Sequence, residues 1–189
     1  MKPMSGEREA ARVLALHRYA ILDSGAEQIY DDITGLAANI CESEISLVSF
    51  VDVHRQWFKS KFGLDAHETP RVQAFCAHTI QQHGTLVIED AKCDERFSDN
   101  PLVVDAPGIR FYAGAPLITP DGFSLGSLCV IDRHPRKLAP HQQQALEVLS
   151  RVVIHHLEAR RVSAELAAVL ADRKVLTGLL PICSYCKGI

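Results

Sequence analysis

The chain has 189 residues, 47% of them hydrophobic, and a formal net charge of −3 with acids and bases interspersed. That length suits one core with an appendage rather than two comfortable domains, and the weak, even charge excludes the basic footprint expected of a nucleic-acid or anionic-membrane partner. No window approaches the about 20 apolar residues of a membrane span and no signal-peptide run opens the chain, so a soluble, cytoplasmic protein with free thiols at its six cysteines is expected.

Residues 7–19 carry Val13, Leu14, Leu16 and His17 between charged residues, the pattern of an amphipathic helix on a surface. Ser24-Gly25-Ala26-Glu27 has capping-box spacing, and Ile29, Ile33, Leu36 and Ile40 follow at helical intervals, which predicts a second helix over residues 26–41 with that stripe buried. Residues 44–52 place Ile45, Leu47 and Val51 on one face and Val48 and Phe50 on the other, as in a central strand covered on both sides. Residues 56–62 read as its hairpin partner, nearer an edge, with Phe58 and Phe62 inward and Trp57, Lys59 and Lys61 outward.

A short helix is predicted over residues 72–83, with Phe75, Thr79 and Ile80 as its apolar side and Gly84 as its stop, followed by a minimal strand at 86–88. Residues 89–108 form a long loop with at most one helical turn, whose Phe97, Leu102, Val103 and Val104 suit a lid. Residues 110–118 and 124–132 flank Pro120-Asp121-Gly122 and read as a β-hairpin of inner strands. Ala113, Gly114 and Ala115 leave little side chain at its middle, so one face either floors a cavity beneath the lid or lets a helix pack closely. Beyond Pro140 a long helix is predicted, with Leu146, Leu149, Val153 and Leu157 as one stripe and Val162, Leu166, Val169 and Leu176 resuming after a five-residue step. Its far half outruns a domain of this size and asks for a partner, most simply a second copy.

The segments LHRYAILDSGAEQIYDDITGLAANIC, ISLVSFVDVHRQWFKSKFGLDAHETPR, FCAHTI, DAKCDERFSDNPLV and IRFYAGAPLITPDGFSLGSLCVID, in this order, resemble a GAF domain of the bacterial signalling type over residues 14–157. The resemblance implies an α+β fold: a central antiparallel sheet of five or six strands, terminal helices bundled on one face, pocket-covering loops on the other, and a long C-terminal signalling helix. Relatives of this kind sit ahead of histidine kinases or diguanylate cyclases, in two-component and related systems. The chain accordingly divides into a sensory domain at 1–157 and a helical extension with a Cys-x-x-Cys tail at 158–189. The tail LLPICSYCKGI is similar to the start of a cysteine-rich segment that follows some bacterial sensor domains, of which it holds half.

The candidate ligand-binding residues are Phe58, Phe75, Thr79, Asp90, Phe97, Asn100, Phe111 and Ala113. Their aromatics equally suit ordinary core, and their short polar groups equally suit loop backbone. Cys76 and His78, two apart on a helix, point away from each other, so Cys76 reads as a small buried hydrophobe rather than half of a nucleophile–base pair. FCAHTI also lacks the adjacent Cys-His dipeptide of bilin-carrying relatives. Cys183 and Cys186 have metal-type spacing and are candidate zinc ligands, singly or shared across a dimer; the sequence names no cofactor beyond this candidate zinc and leaves the question open. The leading expectation is a non-enzymatic sensory module that binds a small molecule and signals to an output domain through a dimeric helical bundle. The alternatives are a thiol enzyme like the GAF-type free methionine-(R)-sulfoxide reductases, with Cys76, Cys93 or Cys129 as candidates although the spacing of these thiols does not match those enzymes, and a structural dimerisation module without ligand.

Overall fold

The structure, a computed structural model, describes residues 6–178, with side chains through residue 171. Helices α1 (Gly6–Arg18) and α2 (Gln28–Cys41) precede strands β1 (Ile45–Val51), β2 (Arg55–Phe62) and β3 (Glu68–Pro70). A 3₁₀ turn (Arg71–Gln73), the single-turn helix α3 (Cys76–Thr79), β4 (Leu86–Ile88) and the single-turn helix α4 (Pro101–Val104) follow, and β5 (Phe111–Ile118), β6 (Ser124–Asp132) and α5 (Pro140–Gly178) complete the chain. The six strands form one antiparallel sheet in the order β3-β2-β1-β6-β5-β4. No helix among the described residues is long and apolar enough to cross a membrane.

Strand periodicity splits the core into two layers. Val48 and Phe50 of β1, with Phe111, Ala113, Ala115 and Leu117 of β5, face α1, α2 and α5. Ile45, Leu47 and Val51, with Tyr112 of β5, face the α3 and α4 loops. The two-sided pattern read in β1 therefore recurs in β5 and β6, the other inner strands of the sheet. Gly126 permits the β1–β6 pairing, because a Cβ there would lie 1.9 Å from the Ser49 carbonyl oxygen. At the hairpin turn, Gly122 takes φ +83°, the left-handed region that glycine reaches without steric cost.

Several local expectations change. α2 starts at Gln28, and its N-cap Glu27 makes no side-chain cap bond. Ser24 Oγ instead donates to the Ile21 carbonyl, and Glu27 turns to Lys59. The buried face of α2 is Tyr30, Ile33, Ala37 and Cys41, whereas Ile29 and Leu36 are exposed. Ala37 and Ala38 are buried beside Tyr30 and Ile33, while Ile29 and Leu36 lie on the exposed side. Lys59 is not on an outer face: its Nζ is bound by Glu27 at 2.7 Å, Ser24 at 2.9 Å and the Gly25 carbonyl at 2.6 Å beneath α2. The helix expected over 72–83 is reduced to the 3₁₀ turn and α3.

α5 lies antiparallel to α2, with Gln142 bonded to the Ile40 carbonyl at one end and His156 beside Glu27 at the other. Leu146, Leu149, Val153 and Leu157 bury one side of it. Val148, Val152, His155, Ala159, Val162, Leu166 and Val169 follow steps of four and three and are all exposed. At 100° per residue this second stripe runs opposite the first. The five-residue step in the sequence pattern is the passage from one stripe to the other.

Candidate functional site

The sheet face turned from the helices is roofed by the loops that carry α3 and α4, and between them lies a cavity of about 450 Å³. Ile45 and Leu47 of β1, Phe58 of β2 and Ile131 of β6 supply its floor. Leu64 from the β2–β3 connection, Phe75, Leu102 of α4 and Ile109 close it. Four polar side chains reach this apolar space, Gln56, Thr69, Cys76 and Tyr112, with Asp65 and the half-exposed Arg133 beside them. The Thr69 Oγ1 is buried and has no hydrogen-bond partner among the described residues. A mostly apolar cleft with a few convergent polar groups is the usual form of a small-molecule site, whose volume runs roughly 300–1,000 Å³.

The roof is held by specific contacts. Phe75 stacks on Phe97 with centroids 4.1 Å apart and tilts against Tyr112 at 5.2 Å. The Tyr112 and Thr79 hydroxyls share a 2.6 Å hydrogen bond. Asn100 caps α4 by accepting from the Leu102 N–H at 2.9 Å, while its amide donates to the Gln73 carbonyl at 3.0 Å and so ties the two roof loops together. Asp90 accepts two 2.7 Å bonds from Arg110. Those bonds, against the smaller cost of desolvation, hold its carboxyl well below the usual carboxylate range.

Cys76 stands at the base of the cavity. Its Sγ accepts from Gln56 Nε2 at 3.0 Å, Ser49 Oγ at 3.3 Å and the Tyr112 hydroxyl at 3.4 Å, and lies 3.9 Å from Cys129 Sγ. Burial opposes ionisation of Cys76, but the side-chain hydrogen bonds it shares with Cys129, Ser127, Ser49 and Tyr112 outweigh it and hold the thiol below its ordinary value. Cys129 shifts the other way, because it shares its hydrogen bond with Cys76 and is itself buried. His78 points elsewhere and packs edge-on against Phe97 at 4.7 Å.

Of the eight residues picked from the sequence, Phe58 and Phe75 line the cavity. Thr79 and Phe97 stand one layer behind, where they brace Tyr112 and Phe75. Asn100 and Asp90 organise loop backbone and an ion pair. Phe111 and Ala113 are a correction. They lie in the helix-facing core, because alternate residues of a strand project to opposite faces, and the residue of that stretch which lines the cavity is Tyr112. Beside Gly114, a Cβ would sit 2.2 Å from the Tyr112 hydroxyl, so this glycine makes room for that ring. Leu102, read from the sequence as a lid residue, lines the cavity, whereas Gln56 and Thr69 were missed; alternation along β2 would have assigned Gln56 to the Phe58 face, and no local signal marks Thr69. Cys183 and Cys186 lie outside the described residues.

A six-stranded antiparallel sheet with helices on one face and a loop-roofed cavity on the other is the architecture that the sequence resemblance implies, and the GAF domain family matches residues 8–157. The chain belongs to the GAF family. Over 160 residues this GAF chain is 42% identical to a cyclic di-GMP phosphodiesterase of Pseudomonas aeruginosa, a match covering 84% of the chain and 27% of that relative. It thus spans about a quarter of the relative's length. Among solved structures it is similar to a GAF sensor protein from Burkholderia vietnamiensis, with a TM-score of 0.57 and 15% identity over 81% of this chain and 98% of the other. It is also similar to free methionine-R-sulfoxide reductase from Neisseria meningitidis, with a TM-score of 0.58 and 15% identity over 86% of this chain and 97% of that one. At such identities the likeness is one of fold.

Proposed function

We propose that this GAF domain is a sensory module: a small, largely apolar molecule with a polar end occupies the cavity, and its arrival changes how α5 is held. The observation that carries this reading is the roofed cavity of about 450 Å³, mostly apolar, with Gln56, Thr69, Cys76 and Tyr112 reaching it, Asp65 and Arg133 beside them, and a Thr69 hydroxyl that has no partner among the described residues. Phe58, Phe75 and Leu102 supply the apolar contact, and Thr69 and Gln56 the polar anchor. The output is carried by another part of a longer protein, a reading supported by a relative named as a phosphodiesterase of which the chain matches only 27%. Two chains associate through the exposed stripe of α5, and the paired helices pass the signal on.

A thermal-shift screen of small metabolites tests the binding step. A ligand at a hundred times its dissociation constant stabilises the folded chain by about 2.7 kcal/mol, which for a domain of this size raises Tm by roughly 5–10 °C. Leu102→Trp fills the cavity from its roof, and the same ligand should then give no shift while the unliganded protein still melts cooperatively. An unchanged ligand response in Leu102→Trp would place binding elsewhere.

A further inference from the structure

The strands bring two cysteines far apart in sequence to one point under the cavity. Cys76, at the start of α3, lines the cavity, and Cys129, on β6, stands behind it with Sγ atoms 3.9 Å apart. Donors from three different strands converge on the Cys76 sulfur: Ser49 of β1, Gln56 of β2 and Tyr112 of β5. A neutral thiol is a weak acceptor, so three donors aimed at one sulfur suit the thiolate, which is the nucleophilic form. Cys41 provides the contrast within the same chain. It is buried on the helix side, and burial pushes its thiol up to about 11.

We propose that Cys76 and Cys129 form an oxidisable dithiol site in which a hydroperoxide entering the cavity is reduced and the two cysteines close a disulfide. The Cys76 thiolate attacks a peroxide oxygen; the O–O bond breaks and the leaving oxygen takes a proton to depart as an alcohol, or as water from hydrogen peroxide. Cys76 is left as a sulfenic acid. Cys129 then attacks the Cys76 sulfur, the S–O bond breaks, and hydroxide leaves as water with the Cys129 proton. Two thiols lose two electrons, and the peroxide gains both. A low-molecular-weight thiol restores the pair by two exchange steps.

Geometry sets the division of labour and the consequence. Cys76 lines the cavity and meets the oxidant, whereas Cys129 is fully buried and outside the cavity lining. Closing the sulfurs to about 2.05 Å removes the thiolate that Gln56, Ser49 and Tyr112 share, so the cavity gains unengaged donors and its ligand preference changes. The site acts with or without another molecule in the cavity and does not depend on the proposed sensory role.

The test uses the full chain with Cys93→Ser, Cys183→Ser and Cys186→Ser, which retains Cys41, Cys76 and Cys129. The folded protein is treated with hydrogen peroxide or cumene hydroperoxide, quenched, denatured and alkylated with N-ethylmaleimide. Expected are a fall from three adducts to one, a mass lower by two hydrogens before alkylation, and a cross-linked peptide joining Cys76 to Cys129, all reversed by dithiothreitol. With Cys129→Ala added, dimedone should label Cys76. Three adducts after peroxide, oxidation of Cys41 as fast as Cys76, or a Cys76 sulfonic acid without any cross-link would each overturn the proposal.

Discussion

At the scale of single residues, one step along β5 decides whether a side chain belongs to the core or to the cavity. Tyr112 reaches the cavity, while Phe111 and Ala113 on either side of it pack under the helices with no exposed surface. Ala113→Leu therefore adds volume to a filled layer beneath α5 rather than to the ligand space. It should lower stability by about 1–3 kcal/mol in denaturant melts and leave ligand-induced shifts intact. Loss of ligand response at unchanged stability would mean that Ala113 faces the cavity after all.

At the scale of elements, α5 is latched where it leaves the domain. Glu27 joins Lys59 of β2 to Arg160 and His156 of α5, and Arg160 also donates to the Tyr19 and Ala20 carbonyls at 3.0 and 3.1 Å. Tyr19 donates to Glu158 in the same place. Burial opposes the charge on Glu27, but the hydrogen bond and charge of Lys59 and the charge of Arg160 prevail and hold its carboxyl below the ordinary glutamate value. Because the folded value lies below the unfolded one, the latch contributes fully above the ordinary value of about 4.3 and is lost as pH falls through the folded value. Glu27→Gln should remove that part of the acid limb of the stability profile. At neutral pH it should cost about 2 kcal/mol, less than a fully broken buried pair, since Ser24 and Gly25 still bind the enclosed Lys59 ammonium. Urea melts of both proteins between pH 3 and 7 would show it, and parallel pH profiles would exclude the latch.

At the scale of the whole molecule, α5 between Val162 and Leu170 is exposed among the described residues. Val162, Leu166 and Val169 are 53%, 58% and 62% exposed, and they continue the four–three stripe that begins at Val148 and Val152 on the far side from the core. Burying each fully is worth roughly 1.5–3 kcal/mol, and a partner helix of the same sequence matches that spacing. On the proposed pairing through α5, the parent chain should sediment as a dimer and Leu166→Glu with Val169→Glu as a monomer, without lowering the stability of the sheet core. Unchanged sedimentation would remove α5 as the interface.

The sequence by itself determined the family, the two faces of β1, the 120–122 turn with its flanking strands, and α5, because each rests on a local rhythm or an ordered set of motifs that one stretch of chain carries whole. It determined less about the site. The Cys76 and Cys129 sulfurs meet although 53 residues separate them. Lys59 is enclosed because α2 lies over it, not because of its neighbours in β2. The buried face of α2 is the one that meets the sheet and α5, with Tyr30, Ile33, Ala37 and Cys41, and β3 with its Thr69 exists through pairing with β2. Which side of β5 meets the cavity, which loop roofs it and which thiols touch are relations between distant segments, and only the tertiary packing that brings those segments together decides them.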